Sequence, residues 1–381
     1  MRLEVELVSQ IASIDAASWD ALAGADDPFI EHAFLLALEE SGSVGGDSGW
    51  TPLHVVARTQ GRLVGALPCY VKFHSYGEYI FDWRWAAGAE RAGIRYYPKL
   101  VSMVPFTPAT GRRLLVSPEA GGDAIVAALA QGVEAARDQL GASSVHYLFL
   151  SAEERQALLA NSTGLMPRDS LQFHWHNDGY RDFDDYLSRF RSALRKQVRR
   201  ERKQAQDAGL EIRVIEGPQL DASDWAALFR FYVDTCQKRG SGPYLNRRFF
   251  ELLRETHAAR VLGVLAYRAG RPIAGTLNFQ KGKHLYGRYW GCSEEIPGLH
   301  FECCYYRLIE HAIAYGLTRF EAGAQGTHKL RRGLLPALIH SAHGVVHPGL
   351  RRALAIDLKH EQEAVRHELG ALAEHGPFKR G

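Results

Sequence analysis

One stretch of this chain occurs twice. Residues 268–291, RAGRPIAGTLNFQKGKHLYGRYWG, run parallel to residues 58–79, RTQGRLVGALPCYVKFHSYGEY, with one slip in register. Gly61-Arg62 faces Gly270-Arg271, Val64 faces Ile273 and Lys72 faces Lys281. After the slip, His74 faces His284, Tyr76-Gly77 faces Tyr286-Gly287 and Tyr79 faces Tyr289. A self-match at one long offset indicates a duplicated unit rather than a solenoid, whose period runs roughly 20–50 residues. Each copy reads as strand, Gly-Arg turn, strand, short polar turn, strand.

The length of 381 residues has room for two such units. A boundary near 165 is expected, with residues 1–165 as one domain and 166–381 as the other. With 46% hydrophobic and 23% charged residues, the composition is that of a globular protein. The net charge of +3 gives no case for nucleic acid unless cations cluster locally. The first residues, MRLEVELVSQIAS, alternate as a strand does and lack a signal-peptide core. No apolar run reaches the ~20 residues of a membrane span. Five cysteines, odd in number and without a CxxC pair, suggest reduced thiols and a cytoplasmic location.

Both halves run strand, helices, hairpin, strand, helix, strand. That order predicts an α+β fold with a mixed, mainly antiparallel sheet flanked by helices in each half. Within it, 79–85 (YIFDWRW) reads as a strand, 161–167 as a linker and 183–206 as one long helix. Residues 350–374 read as an amphipathic C-terminal helix. It is also the element order of the GCN5-related N-acetyltransferase (GNAT) fold.

Four places concentrate chemistry. From Arg189 to Lys203 the chain carries eight Lys/Arg and one Glu, either a solvated helix face or a face for phosphates such as a tRNA backbone. At a helix start, His300 and Glu302 stand where an amine proton could be accepted or a carbonyl oxygen approached. Adjacent Cys303-Cys304 fit small buried helix residues better than a nucleophile. The loop 321–336, EAGAQGTHKLRRGLLP, joins Glu321 to three glycines and to the cations His328, Lys329, Arg331 and Arg332. In the first half, Tyr76, Glu78, Asp82, Lys99 and Thr107 gather around turns, and His174 and His176 alternate on a strand opening the second half. His340 and His343 alternate likewise, and spacing supplies no third ligand for a metal.

The residues HSYGEYIFDW (74–83), YYPKL (96–100), PFTPATGRRLL (105–115), QFHWHN (172–177), RKQVRRER (195–202), LHFECCYY (299–306) and GAQGTHKLRRG (323–333) together resemble the FemAB-like family of predicted N-acyltransferases, labelled for peptidoglycan biosynthesis or recognition. That family is similar to the Fem peptidyltransferases, built of two fused GNAT-like (acyl-CoA N-acyltransferase) domains, which pass aminoacyl groups from tRNA to a cell-wall precursor amine. The resemblance implies acyl or aminoacyl transfer to a small-molecule or peptide-like amine, with aminoacyl-tRNA as donor ahead of acyl-CoA and no firm cofactor. The pyrophosphate loop [RQ]-x-x-G-x-[GA] of CoA-dependent GNAT enzymes is absent at 292–299, CSEEIPGL, and Lys329 holds the place of the Fem Phe-Lys-x-Gly-Phe lysine without its aromatics. On this reading Glu302, His300 and Glu321 are catalytic. Cationic Lys329, Arg331 and Arg332 hold an anionic donor or the oxyanion, with His328 beside them. Tyr76, Glu78, Asp82, Lys99, Thr107, His174 and His176 bind substrate. Two alternatives stay open: a non-catalytic module recognising a wall precursor, and an ordinary acyl-CoA- or acyl-carrier-dependent acetyltransferase. Oligomeric state is not legible.

Overall fold

The computed structural model describes residues 2–119, 121–323 and 326–379. The chain forms two compact units. One holds Met1–Leu171 and Leu338–Glu368; the other holds Gln172–Ala337 and Leu369–Gly381.

The duplicated stretch builds the same hairpin in both. In the first unit, strands His54–Thr59 and Arg62–Leu67 meet at a turn with Gln60 at φ 49° and Gly61 at φ 78°. In the second, Val261–Arg268 and Arg271–Lys281 meet with Ala269 at φ 49° and Gly270 at φ 75°. Two consecutive positive φ values make a type I′ turn, whose twist matches that of paired strands. Each hairpin also bulges at the same place. Ala57 faces Gly65 and Arg58 faces Leu63, leaving Val64 extra. Ala266 faces Ala274 and Tyr267 faces Pro272, leaving Ile273 extra.

A second shared element follows. In each unit a parallel strand pair joined through helix is held by three rungs. Leu100, Val101 and Ser102 pair with Val145, His146 and Tyr147, across the helix Gly122–Leu140. His284, Leu285 and Tyr286 pair with Arg319, Phe320 and Glu321, across helical turns from Leu299 to Ala314. The other registered pairings are antiparallel. The second unit is thus a mixed, mainly antiparallel sheet flanked by helices, as the sequence predicts, whereas the first divides its strands between an antiparallel sheet and a mixed one.

The copies part company at their third strands. Residues 284–292 continue the second sheet. In the first unit Pro68, which has no N–H to donate, follows the last rung at Leu67. The chain then steps into another sheet, where Tyr70–Lys72 pairs with Trp50–Pro52 and Lys99–Ser102. Residues 74–82 form a compact loop with Gly77 at φ 83°. The strand expected over 79–85 is therefore a loop followed by the helix Trp83–Arg91. Its apolar side is Trp85 and Ala89, one turn apart, a helical rather than an alternating spacing.

Two further expectations change. The helix expected over 183–206 is two, Phe183–Ser188 and Ser192–Asp207, because buried Phe190 between them bridges to Phe378. The expected linker at 161–167 is shorter: the helix Ala152–Asn161 ends at its first residue and the strand Leu165–His176 takes its last three, leaving a turn at 162–164. Capping boxes start the helices Ala152–Asn161 (Ser151 with Glu154) and Ala222–Lys238 (Asp221 with Asp224).

Candidate functional site

In the second unit the strand His284–Cys292 outruns its parallel neighbour. The ladder ends at Tyr286/Glu321, while Gly287–Cys292 remain paired only on the side of Arg271–Lys281, among the described residues. On that side Leu277 faces Tyr289 and Asn278 faces Gly287, so Arg288 is an extra, bulged residue. Beyond Glu321 the chain turns through Gly323 (φ 81°) and re-enters as the short helix Thr327–Arg332. Ala324 and Gln325 of the expected loop lie outside the described residues.

That short helix brings the expected cations to an aromatic wall. Lys329 is buried and its Nζ donates to Gly323 O at 2.7 Å. Burial lowers its ammonium to about 8. His328 Nε2 and Tyr305 Oη share a hydrogen bond of 3.0 Å. The His300 ring packs at 5.3 Å from Trp290, 5.7 Å from Tyr305 and 6.1 Å from His328. Burial, followed by the charge of neighbouring His328 and Arg332, brings His300 down to about 4, so it is neutral at pH 7. His328 is lowered by burial as well. Arg332 lies 3.3 Å over the Phe301 ring, and donates to Glu201 Oε1 at 2.7 Å and to His328 O at 2.8 Å. Arg331 points to solvent.

Glu302 sits apart from these groups in its bonding. It is fully buried, on a π-helical segment Glu302–Tyr306. Arg202 Nε and Nη2 each reach one of its oxygens at 3.1 Å. Arg307 Nε stands 2.9 Å from Oε1, off the angle of a hydrogen bond, so it is a charge contact. Glu321 is buried too, 3.2 Å from Arg319 and 3.8 Å from His174, its partner across the strands. His174 is pushed well below its usual range by burial and then by Arg319. The His176 ring lies 6.3 Å from it. Burial drives the thiols of Cys303 and Cys304 up, which keeps them protonated and unreactive.

The basic run also divides. Lys196, Arg199, Arg200 and Lys203 face solvent on the helix Ser192–Asp207. Arg202 turns inward, to Glu302 and to Glu310 at 2.6 Å. Glu201 is buried, where Gln197, Tyr306 and Arg332 all donate to it. Glu201 and Arg202 were not singled out by the sequence reading. Their signal was position: Val198, Glu201 and Ala205 share the inward face.

The first unit holds a second cluster. Lys99 is fully buried and donates to Glu78 Oε2 at 2.8 Å, to Asp82 Oδ2 at 2.5 Å and to Ser75 Oγ at 3.1 Å. Tyr96 donates to the same Asp82 oxygen at 2.6 Å. Burial pushes Glu78 up to about 7. Burial alone would raise Asp82 too, but the Lys99 ammonium holds it well below the usual carboxylate range. Lys72, which sequence reasoning noticed only as a repeat position, is equally buried. Its ammonium lies 3.6 Å from the centre of the Trp50 ring and donates to Tyr76 O at 2.9 Å. Burial brings it down to about 6. Thr107 is buried and donates to Pro105 O at 2.9 Å, closing the proline turn. Of the expected residues here, only Tyr76 is exposed, at 56%. The buried charges thus pin the loop that presents it.

His340 contacts Asp169 at 2.7 Å and His343 shares a hydrogen bond of 2.8 Å with His146. Among the described residues no three His, Cys, Asp or Glu side chains are grouped to hold a metal. No helix among them is long and apolar enough to cross a membrane.

No curated protein matches the chain. Among solved structures, the C-terminal domain of a putative lysylphosphatidylglycerol synthetase from Agrobacterium fabrum superposes with a TM-score of 0.56 at 12% identity, over 92% of this chain and 96% of that one. FemX superposes with 0.54 at 12% identity, over 92% and 100%. L-PGS from Bacillus licheniformis gives 0.51 at 10% identity, over 84% and 95%. At these identities the likeness is one of fold. The FemAB-like model, described as peptidoglycan biosynthesis/recognition, matches residues 10–380, and the chain belongs to the FemAB-like family.

Proposed function

We propose that the second unit catalyses N-acyl transfer, moving an acyl or aminoacyl group to the amine of a peptide-like acceptor such as a cell-wall precursor. The observation that carries this reading is the strand Gly287–Cys292 running on past its last parallel rung, with the Lys329 ammonium beside the point of parting on Gly323 O. An aminoacyl group can hydrogen-bond through its carbonyl and α-amino group to the backbone along such an edge. The donor carbonyl is then held near the incoming amine, and that proximity lowers the barrier by several kcal/mol.

In the reaction the amine nitrogen attacks the donor carbonyl carbon. Lys329, protonated at neutral pH, leaves the Gly323 carbonyl to donate to the developing oxyanion. The tetrahedral centre collapses, the C–N bond is retained and the C–O bond to the donor breaks. The amine proton passes to the leaving oxygen, with neutral His300 and the His328–Tyr305 pair as its relay. Glu321 orients the acceptor amine with His174 and His176. Glu302 is assigned to holding Arg202 and the helix start, because both its oxygens are already engaged. Arg331 and the exposed cations of Ser192–Asp207 steer an anionic donor, for which aminoacyl-tRNA is the first choice. In the first unit, Glu78, Asp82, Lys99 and Thr107 set the loop that presents Tyr76 for substrate binding.

The test is an acylation assay read by mass spectrometry, with aminoacyl-tRNA and acyl-CoA offered separately against peptide amines. Product from aminoacyl-tRNA, lost with Lys329→Met, supports the reading. Saturable acceptor binding with no product from either donor rejects it in favour of recognition alone.

A further inference from the structure

Against one side of the first unit runs a groove of about 570 Å³, between the helix Trp83–Arg91 and the first turns of Pro348–Glu374. Its inner wall is apolar: Trp85, Ile94, Leu350 and Leu354. Gly88 opens it, since a Cβ built there meets nothing within 4 Å. The mouth is different. Trp83 is 39% exposed, and it stacks on exposed Phe81 at 6.4 Å and meets exposed Tyr76 edge-on at 4.8 Å. Arg84 and Arg91 stand at the rim. Arg84 is paired with Asp357 at 3.2 Å, and Arg91 has no ion-pair partner among the described residues.

We propose that this groove binds one alkyl chain of a dissolved, single-chain anionic amphiphile, with its carboxylate at Arg91. The volume falls within the ~300–1,000 Å³ of small-molecule sites. The apolar wall suits methylenes, whereas a bound peptide would bring backbone amides that find no partners there. The net positive rim selects an anionic head over a cationic one. The aromatic rings from Trp83 outward extend the apolar track beyond the groove. The inference stands apart from the acyl-transfer reading, which uses none of these residues except Tyr76.

Titration of the full chain with dodecanoate, followed by tryptophan fluorescence and calorimetry below the micellar range, tests it. Saturable binding is expected, about tenfold weaker for decanoate because two methylenes are lost. Dodecylammonium is expected to bind at least about tenfold more weakly than dodecanoate. Gly88→Leu fills the groove while improving helix propensity, so it should fold normally and lose dodecanoate binding. Arg91→Glu should weaken dodecanoate and leave dodecanol unchanged. Equal binding of dodecylammonium, or wild-type binding by a folded Gly88→Leu, overturns the proposal. So does binding seen only to phosphatidylglycerol vesicles, which would make the face a membrane contact. A change of oligomeric state in Gly88→Leu would overturn it in favour of a second copy of the chain.

Discussion

The ammonium of Lys72 stands 3.6 Å from the centre of the Trp50 ring, inside the first unit and away from water. A cation over an indole face is attracted to it, but here burial outweighs the attraction and brings the group from 10.5 to about 6. Because the folded-state value is depressed, Lys72 contributes stability that is complete above pH 10.5 and is lost as pH falls through about 6. Lys72→Met should remove that dependence. Glu78, raised to about 7, works in the opposite sense at lower pH. Urea melts at about pH 7.5 and about 9.5 therefore isolate the lysine. The wild type should gain on the variant between them by on the order of 1–3 kcal/mol. Parallel curves would show that Lys72 keeps its proton.

Lys99 compensates two carboxylates at once, Glu78 and Asp82. Removing one partner of a buried pair leaves an uncompensated charge and costs ~3–5 kcal/mol. Lys99→Met should lose about that much in chemical denaturation. Adding Asp82→Asn should recover part of the loss, which a purely steric defect would not allow.

Glu302 separates scaffold from chemistry. Glu302→Gln keeps the shape but halves the clamp on Arg202, so a large drop in melting temperature is expected. Turnover per folded molecule at low temperature should stay within a few-fold of wild type. A variant that melts normally and has lost turnover would instead mark Glu302 as the proton acceptor.

Lys329 carries the pH dependence of the proposed reaction. Its ammonium, lowered to about 8, must be protonated to stabilise an oxyanion. Activity should fall as pH rises through about 8. Lys329→Met should cost ~10²–10³ in kcat, the usual loss for one oxyanion donor. Lys329→Arg should retain part of the rate and lose the alkaline fall, because a guanidinium stays charged there.

The two type I′ turns hold a residue other than glycine at φ 49°, Gln60 in one and Ala269 in the other. A left-handed conformation costs an L-residue roughly 1–2 kcal/mol, less for asparagine. Ala269→Asn should raise stability by up to about 1 kcal/mol in thermal melts. The same change at Gln60 should do likewise.

The hairpins were legible because their cause is local. A Gly-Arg turn between apolar runs fixes both ends of a ladder, and the duplication marks it twice. What followed was less legible. Whether residues 74–82 extend the sheet depends on Pro68 ending one ladder and on buried Lys72 and Lys99 drawing the loop inward, and the Lys99 contact joins residues 24 apart in sequence. Sequence reading did gather Glu78, Asp82 and Lys99, now bonded together, and the 300–332 region, now joined by Tyr305, Phe301 and Arg332. It did not distinguish a carboxylate within reach of a substrate from one already gripped. Glu302 shows this: its partner Arg202 lies 100 residues away, in a run that reads as solvated.

The first unit takes in Leu338–Glu368, after the larger part of the second, Gln172–Ala337, has passed. Val345, Leu350, Leu354 and Leu358 complete the apolar cluster around Trp85, Ala89 and Tyr96. During synthesis that cluster waits, uncovered, until Leu358 has left the ribosome. The N-terminal unit, first to be started, thus cannot finish folding until most of the second has been made. A nascent chain stopped before Leu338 leaves those rings open to chaperones, whatever the state of the second unit.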